Sequence, residues 1–308
     1  MDVDNMILHF DESQLRLLNY CMGFMMFGVA LDLSLNDFRR VISNPRSTLI
    51  GMTSQLILLP IFTVLLVMWW DMPDSMKMGL LLVAACPGGN ISNYLVHRSG
   101  GNTALSITLT SIATLLSVIL TPTIFLLYSR CIFESQSHIA LDIDIWSMVG
   151  ILFQLIVIPL IIGMAIHQYF PDFTARIRKV IKPLSVILLI IIIIVALWQN
   201  ISNARQYLSM VFLLVMIHNG GAYAIGYFFA RAFKEPVENA RAVAFETGIQ
   251  NAGLGLILIF NFFNGLGGMA LVAGWWGVWD LVSGFFLSEY WSKGIVGRWS
   301  KKSEKKHW

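Results

Sequence analysis

The chain has 308 residues, of which 56% are hydrophobic and only 13% are charged, and its formal net charge at pH 7 is +3. Its mean hydropathy is +0.70. Since soluble domains carry about a quarter charged residues, this composition argues against a soluble or nucleic-acid-binding protein and predicts an all-α polytopic membrane protein.

Nine apolar stretches follow one another along the chain, most of them long enough to cross ~30 Å of hydrocarbon as a helix. The acidic start, MDVDN, predicts that the first stretch is a membrane helix and not a cleaved signal peptide, which needs a positive n-region. Because the joining segments are short, we expect a single transmembrane domain over 1–308. The predicted spans are 15–35, 47–70, 77–98, 103–128, 145–169, 181–200, 207–231, 238–262 and 268–291.

Lys and Arg are distributed unevenly over the two sides that nine spans define. Of the 21 such residues, 17 fall on the side of the basic tail, 293–308, and four fall on the other side: Arg16, Lys77, Arg130 and Arg205. Since cytoplasmic loops carry the excess of positive charge, the C-terminus is predicted to be cytoplasmic and the N-terminus outside. The membrane is expected to be a cell inner or plasma membrane.

Two of the apolar stretches contain residues that interrupt a membrane helix. The third contains CPGGNISN and the eighth contains AFETGIQNAGLG. Pro87 removes a backbone donor and disfavours helical geometry at Cys86, while Gly88 and Gly89 allow backbone angles that other residues resist. Each stretch is therefore predicted to form two half-helices, whose free N–H and C=O groups can face ions or a solute.

The positions of the two interruptions indicate an internal repeat. Broken helices at matching places in two halves are typical of transporters built from inverted repeats. The halves align if the N-terminal repeat, about 13–130, lacks the first helix of a five-plus-five plan and the C-terminal repeat, about 145–292, is whole. The two broken helices are then expected to cross near the middle of the membrane.

Oxygen-bearing side chains surround both interruptions. Ser106 and Thr110 are four residues apart and share a helix face, as do Glu246 and Gln250. Hydroxyl, amide, carboxylate and carbonyl oxygens are the ligands of hard cations, and no cluster of His and Cys competes for a transition metal. The alternative for the two hydroxyls is a hydrogen bond to the backbone of their own helix.

Glu246 and Asp280 are the deepest acidic residues in the predicted spans. An ionisable residue at that depth is a functional hypothesis by default, because burying a charge in hydrocarbon is costly. For Asp280 a protonated, hydrogen-bonded structural acid is the alternative. Gln55 is a lone amide in an apolar span, and taken alone it would most often join two helices by hydrogen bonding.

The stretch CPGGNISNYLVHRSGGNTALSITLTSIATLLSVILTPTIF and the later FETGIQNAGLG resemble the two signature regions of the bile acid:sodium symporter family. The resemblance extends over essentially the whole chain, and it implies nine or ten spans and two bound sodium ions. It implies that one sodium is held by Ser92, Asn93, Ser106, Thr110 and Glu246. It implies that the other is held by Gln55, Glu246 and Gln250, together with the backbone carbonyls of Thr247 and Ile249.

The same resemblance implies a solute cavity beside the sodium ions. Asn90, Asn251 and Gly253 match family positions that line it. In the last span many bacterial members carry a His-Asn pair, whereas this chain has Asp280-Leu281. The acid at this position puts a bile acid in doubt, and it favours a smaller organic acid or a solute with a donor or positive group.

These features predict a sodium-coupled symporter for an organic anion that works by alternating access. The resemblance implies that spans one, five and six form a panel that stays relatively fixed while the other spans move. Its expected partners are sodium, the solute and membrane lipid. Two alternatives are a proton-coupled transporter, with Glu246 or Asp280 titrating, and a sodium-dependent receptor. An intramembrane enzyme is not expected, because no nucleophile–base or metal constellation is recognisable.

Overall fold

The computed structural model describes residues 3–7, 12–31, 44–89, 91–133, 144–198 and 207–304. Within these ranges the regular secondary structure is helical, apart from two isolated β-bridges. The helices are α1 Glu12–Ala30, α2 Pro45–Trp69, α3 Asp74–Ala85, α4 Ile91–Arg98, α5 Thr103–Phe133, α6 Ile145–Tyr169, α7 Pro171–Trp198, α8 Leu208–Ala232, α9 Val237–Gly248, α10 Ala252–Phe262 and α11 Gly267–Glu304.

Within the described ranges, five helices are long and apolar enough to cross a membrane, judged by length and composition. They are α2, α5, α6, α8 and the Gly267–Ser292 part of α11. Shorter apolar helices lie at Leu15–Ala30 and in α10. The predicted class, an α-helical polytopic membrane protein, is confirmed.

Two helices extend beyond the spans predicted for them. α7 begins at Pro171 and not at 181, because a proline at the first helical position and Asp172 in the first turn are favourable helix starts. Pro183 lies inside this helix and does not end it. α11 continues through Glu304, so much of the predicted tail is helical.

The two interrupted stretches are each divided into two helices, as predicted. α3 and α9 are both 12 residues long, and each begins directly after a proline, Pro73 or Pro236. Each ends at a residue with extended backbone: Cys86 has φ −72° and ψ 157°, and Ile249 has φ −104° and ψ 110°. The prediction that Pro87 stops the helix at Cys86 is confirmed.

The divided helices lie in the interior of the protein. Most residues of α3 and α9, and the first nine of α10, are buried, whereas α2 and α6 expose large apolar side chains such as Trp69 and Trp146. Polar and irregular backbone at membrane depth is tolerated where protein surrounds it. The fold therefore brings both interruptions together, away from the apolar outer surface.

Candidate functional site

The two interruptions contact each other through their backbones. Gly88 and Gln250 form an antiparallel bridge, the Gly89 N–H donates to the Ile249 carbonyl over 3.0 Å, and the Asn251 N–H donates to the Pro87 carbonyl over 2.9 Å. Each interruption thus satisfies backbone groups that the other has freed. Because of this pairing, irregular backbone can be buried without leaving these polar groups unpaired.

Side chains of neighbouring helices satisfy the carbonyls at the two helix ends. The Thr121 hydroxyl donates to the Ala85 carbonyl over 2.7 Å, and the Asn219 side-chain amide donates to the Gly248 carbonyl over 2.7 Å. The Asn219 side-chain oxygen in turn accepts from the Ser283 hydroxyl over 2.7 Å. The sequence assigned no role to these residues: Thr121 stood in the stretch that carries the resemblance, and Asn219 and Ser283 were polar side chains in apolar spans.

Glu246 lies at the centre of a buried cluster of oxygens. Its side chain has no exposed surface. The Ser92 hydroxyl donates to Oε1 over 2.6 Å, the Ser106 hydroxyl also lies within hydrogen-bonding distance of Oε1, and the Thr110 hydroxyl lies 2.8 Å from Oε2. The Asn93 side-chain oxygen is 2.7 Å from the Ser106 hydroxyl. The structure therefore brings together all five side chains predicted for the first ion.

For Thr110 the two interpretations of the hydroxyl turn out to be compatible. The Thr110 hydroxyl is 2.8 Å from Glu246 Oε2 and 3.0 Å from the Ser106 carbonyl of its own helix. Three hydroxyls, an amide oxygen and a carboxylate are the donor chemistry that a hard cation takes. The residues present fit such an ion.

Gln55 and Gln250 contribute buried amide atoms that lack partners. Neither the oxygen nor the nitrogen of the Gln55 amide has a hydrogen-bond partner in the part of the chain that the structure describes, and the same holds for Gln250 Oε1. Gln250 Nε2 donates to the Thr247 carbonyl over 2.8 Å, and the Ile249 carbonyl already accepts from Gly89. Buried amides without partners are rare and call for an unseen ion or water. Two members of the second predicted sodium ligand set, Gln55 and Gln250, therefore have buried side-chain oxygens that are unpaired within the described residues.

Gly88 separates Gln55 from Glu246. A Cβ atom on Gly88 would lie 2.9 Å from Glu246 Oε2 and 3.2 Å from Gln55 Nε2. Among the glycines in the described ranges, positive φ angles occur at Gly100 and Gly265, and not at Gly88 or Gly89. The expectation of unusual backbone angles at these two glycines is wrong. The missing side chain, which lets the groups approach closely, is what the position requires.

A π-helical turn, Ser54–Leu58, presents Gln55 within α2. Pro60 follows it and has no N–H to continue the ordinary α-helical ladder. Such single π-turns are frequent at functional sites. The Ser54 hydroxyl also lies 2.8 Å from the Thr247 hydroxyl, which ties the turn to α9 beside the interruption.

A cavity of about 120 Å³ adjoins the crossing of the interruptions. Three of the four residues predicted to face a solute, Asn251, Gly253 and Asp280, line this cavity, and the fourth, Asn90, lies outside the described residues. Gln250 lines it as well. The rest of the wall is formed by Met22, Met25, Met26, Gly89, Ile91, Ile249, Ala252, Gly277 and Leu281.

The polar side chains of the cavity are held by the helix ends around them. The Asn251 side-chain oxygen accepts from the Leu254 N–H over 3.0 Å and caps the start of α10. Asp280, on α11, is only 3% exposed. The backbone N–H groups of Gln250 and Leu281 lie near its carboxyl group. The predicted ion and solute positions therefore share a wall, formed by the second interruption.

Comparison with known proteins finds a match to one family model. The model, described as the sodium bile acid symporter family, matches residues 19–206. A bacterial protein described as an uncharacterized sodium-dependent transporter, YocS of Bacillus subtilis (strain 168), is 31% identical over 274 residues. This alignment covers 89% of the chain and 82% of the Bacillus protein.

Plant proteins match at lower coverage. A probable sodium/metabolite cotransporter of Oryza sativa subsp. japonica, BASS2, chloroplastic, is 27% identical over 242 residues, which is 79% of the chain and 56% of that protein. A counterpart of Arabidopsis thaliana, BASS1, chloroplastic, is 29% identical over 241 residues, which is 77% of the chain and 57% of that protein. The chain thus spans little more than half the length of these plant relatives.

Proposed function

The chain belongs to the sodium bile acid symporter family, and from that premise we propose that it is a sodium-coupled symporter that carries an organic anion across a membrane by alternating access. Membership of a family of transporters confirms that the chain is not an enzyme. The names of the relatives support sodium as the coupling ion, since they describe sodium-dependent or sodium/metabolite transporters.

The unpaired amide atoms of Gln55 and Gln250 carry this proposal. A buried amide left without partners costs about 1–3 kcal/mol, and a sodium ion would use these oxygens at the crossing. In the proposed arrangement Glu246 serves both ions. The first ion adds Ser92, Asn93, Ser106 and Thr110, and the second adds Gln55, Gln250 and the carbonyls of Thr247 and Ile249.

The proposed architecture is one transmembrane domain over 1–308 with nine spans, four followed by five in inverted orientation. The equal lengths of α3 and α9, and the proline before each, support equivalent helices in the two repeats, about 13–130 and 145–292. Spans one, five and six would form the fixed panel. The excess of Lys and Arg supports a cytoplasmic tail, 293–308, and an outer N-terminus.

Coupling between ion and solute is proposed to pass through the second interruption. Gln250 belongs to the second proposed ion set and also lines the cavity, and its backbone N–H lies near Asp280. Sodium at the crossing would offset the charge of Glu246 and hold the paired backbones together. Because the same segment forms the cavity wall, sodium would organise the solute site before the solute arrives.

The test measures the thermal stability of the purified chain in sodium chloride and in choline chloride at equal ionic strength. A ligand at 100 times its Kd stabilises a protein by about 2.7 kcal/mol, so sodium is expected to raise the melting temperature of the wild type. Glu246→Gln should abolish this rise, because it removes the charge that both ions share.

Glu238→Gln is the matched control, because Glu238 is exposed in the first turn of the same helix, α9. It should retain the full response to sodium. Equal melting of the wild type in the two salts would refute sodium binding. If lowering the pH in choline reproduced the sodium effect, proton coupling would replace it.

A further inference from the structure

Resting on the proposed function, we infer that the transported anion also carries a positively charged hydrogen-bond donor such as a primary ammonium, and that Asp280 recognises it. The cargo would then be a small zwitterionic acid and not a simple carboxylate.

Asp280 places a nearly buried carboxylate on the cavity. The side chain is 3% exposed and lines the cavity. The backbone N–H groups of Gln250 and Leu281 lie near it. Backbone amides carry no formal charge, so they solvate the carboxylate without neutralising it, and a carboxylate offers about four acceptor positions.

The described residues that line the cavity include no cationic side chain. Among the described residues that line the cavity, Asp280 is the one with an ionisable side chain, and the others are methionine, glycine, isoleucine, alanine, leucine, glutamine and asparagine. A solute bearing only negative charge would therefore meet an unpaired negative charge in a poorly solvated space, which is unfavourable. An ammonium group on the solute removes this penalty and adds charge-assisted hydrogen bonds.

The cavity wall also has features that suit an anionic group. Ile91 begins α4, and Ala252 and Gly253 begin α10, so two helix N-termini reach the cavity. Helix N-termini carry partial positive charge and present N–H donors to anions. Met22, Met25 and Met26 supply an adaptable apolar wall for the carbon chain of the solute. The cavity thus offers an acid to a cationic group and helix N-termini to an anionic group, and a zwitterionic solute matches both.

Pairs of compounds that differ in one amino group test this inference. β-Alanine and propionate, 4-aminobutyrate and butyrate, and 5-aminovalerate and valerate are titrated onto the purified chain, with thermal stability as the readout in sodium and in choline. We expect at least one amino compound to bind about tenfold or more tightly than its partner in sodium, because a hydrogen bond to a charged group is worth more than one decade of affinity.

Asp280→Asn is expected to remove this preference by weakening the amino compound about tenfold while leaving the plain carboxylate unchanged or tighter. Asp280→Glu, which keeps the charge, should retain the preference, and Asp71→Asn, at an exposed position, should behave as the wild type. The paired comparison in the wild type decides the question even where a variant does not fold.

Equal or tighter binding of the plain carboxylates overturns the inference, as does an unchanged preference in Asp280→Asn or the absence of a shift with every amino compound. These results leave the proposed function standing if sodium alone still raises the melting temperature. Conversely, amino compounds that stabilise equally in sodium and choline would support the Asp280 site and contradict sodium coupling.

Discussion

Gln55 and Gln154 occupy the same place in two similar hexapeptides, QLILLP and QLIVIP, and both lie in a π-helical turn. Gln55 is fully buried beside Glu246, whereas Gln154 is exposed on α6. The local sequence therefore produces the same backbone twice, and the neighbours decide what the amide does. What distinguishes Gln55 as a candidate site residue is an amide that is buried and has no hydrogen-bond partner within the described residues.

Replacing Gln55 by leucine should affect the protein in opposite ways with and without sodium. In choline the variant should be as stable as the wild type or more stable, because an unpaired buried amide costs about 1–3 kcal/mol. In sodium the stabilisation should weaken and its dependence on sodium concentration should become less steep, since one of two proposed sites is lost. Thermal melts across a sodium titration measure both effects.

Gln154→Leu is the matched control for that variant, because it changes the same residue type in the second π-turn. It should leave the sodium titration unchanged. A Gln55→Leu variant that is destabilised in choline and keeps the wild-type sodium dependence would assign Gln55 a structural hydrogen bond instead.

Among the helices, α3 and α9 each end at a residue with extended backbone, and the candidate site lies where these two ends cross. Pro87 stops the first helix, and the pairing of Gly88 with Gln250 joins it to the second. The side chains of Thr121 and Asn219 donate hydrogen bonds to backbone carbonyls at the ends of these helices. The ends of α3 and α9, and not their helical bodies, thus position the oxygens of the candidate site.

Gly88→Ala is expected to abolish sodium-dependent stabilisation. Its Cβ would lie 2.9 Å from Glu246 Oε2, closer than real Cβ atoms approach a neighbour, so the carboxylate or the backbone pairing must shift. Gly150→Ala is the control, because a Cβ at that helical position meets nothing within 4 Å. It should be neutral or stabilising by about 0.5–1 kcal/mol. Sodium melts of both variants check this, and a full sodium response in Gly88→Ala would contradict the proposed geometry.

At the scale of the whole molecule, the proposed coupling moves charge. Two sodium ions entering with a monoanion carry one net positive charge inward, and with a neutral zwitterion they carry two. The side chains proposed to bind the ions lie in the interior, away from the apolar outer surface and from exposed basic residues. Transport should therefore respond to the membrane potential as well as to the sodium gradient.

An inside-negative potential is expected to accelerate uptake into proteoliposomes, at ~2.3 kcal/mol of driving force per charge per 100 mV. A potassium diffusion potential set with valinomycin supplies the voltage, and the radiolabelled amino compound that binds best supplies the cargo. Uptake that is independent of the voltage, at a fixed sodium gradient, would show an electroneutral exchange and contradict two sodium ions per cargo.

The sequence alone determined the class of protein, the places where two helices are interrupted and the oxygen chemistry around them. These features follow from composition and from local stereochemistry: Pro87 ends a helix wherever it stands, and Ser106 and Thr110 share a face because of the helical period. The pairing of hydroxyls with Glu246 was predictable from the family resemblance once these local rules were in place.

The tertiary structure decided what depends on distant neighbours. It placed Gly88 between Gln55 and Glu246, so that the glycine is needed for space and not for backbone angle, and it recruited Asn219 to the end of α9. It also left Gln55 buried while exposing Gln154, although the two have nearly the same local sequence. Burial and hydrogen-bond partners are properties of packing between remote segments, and no local pattern encodes them.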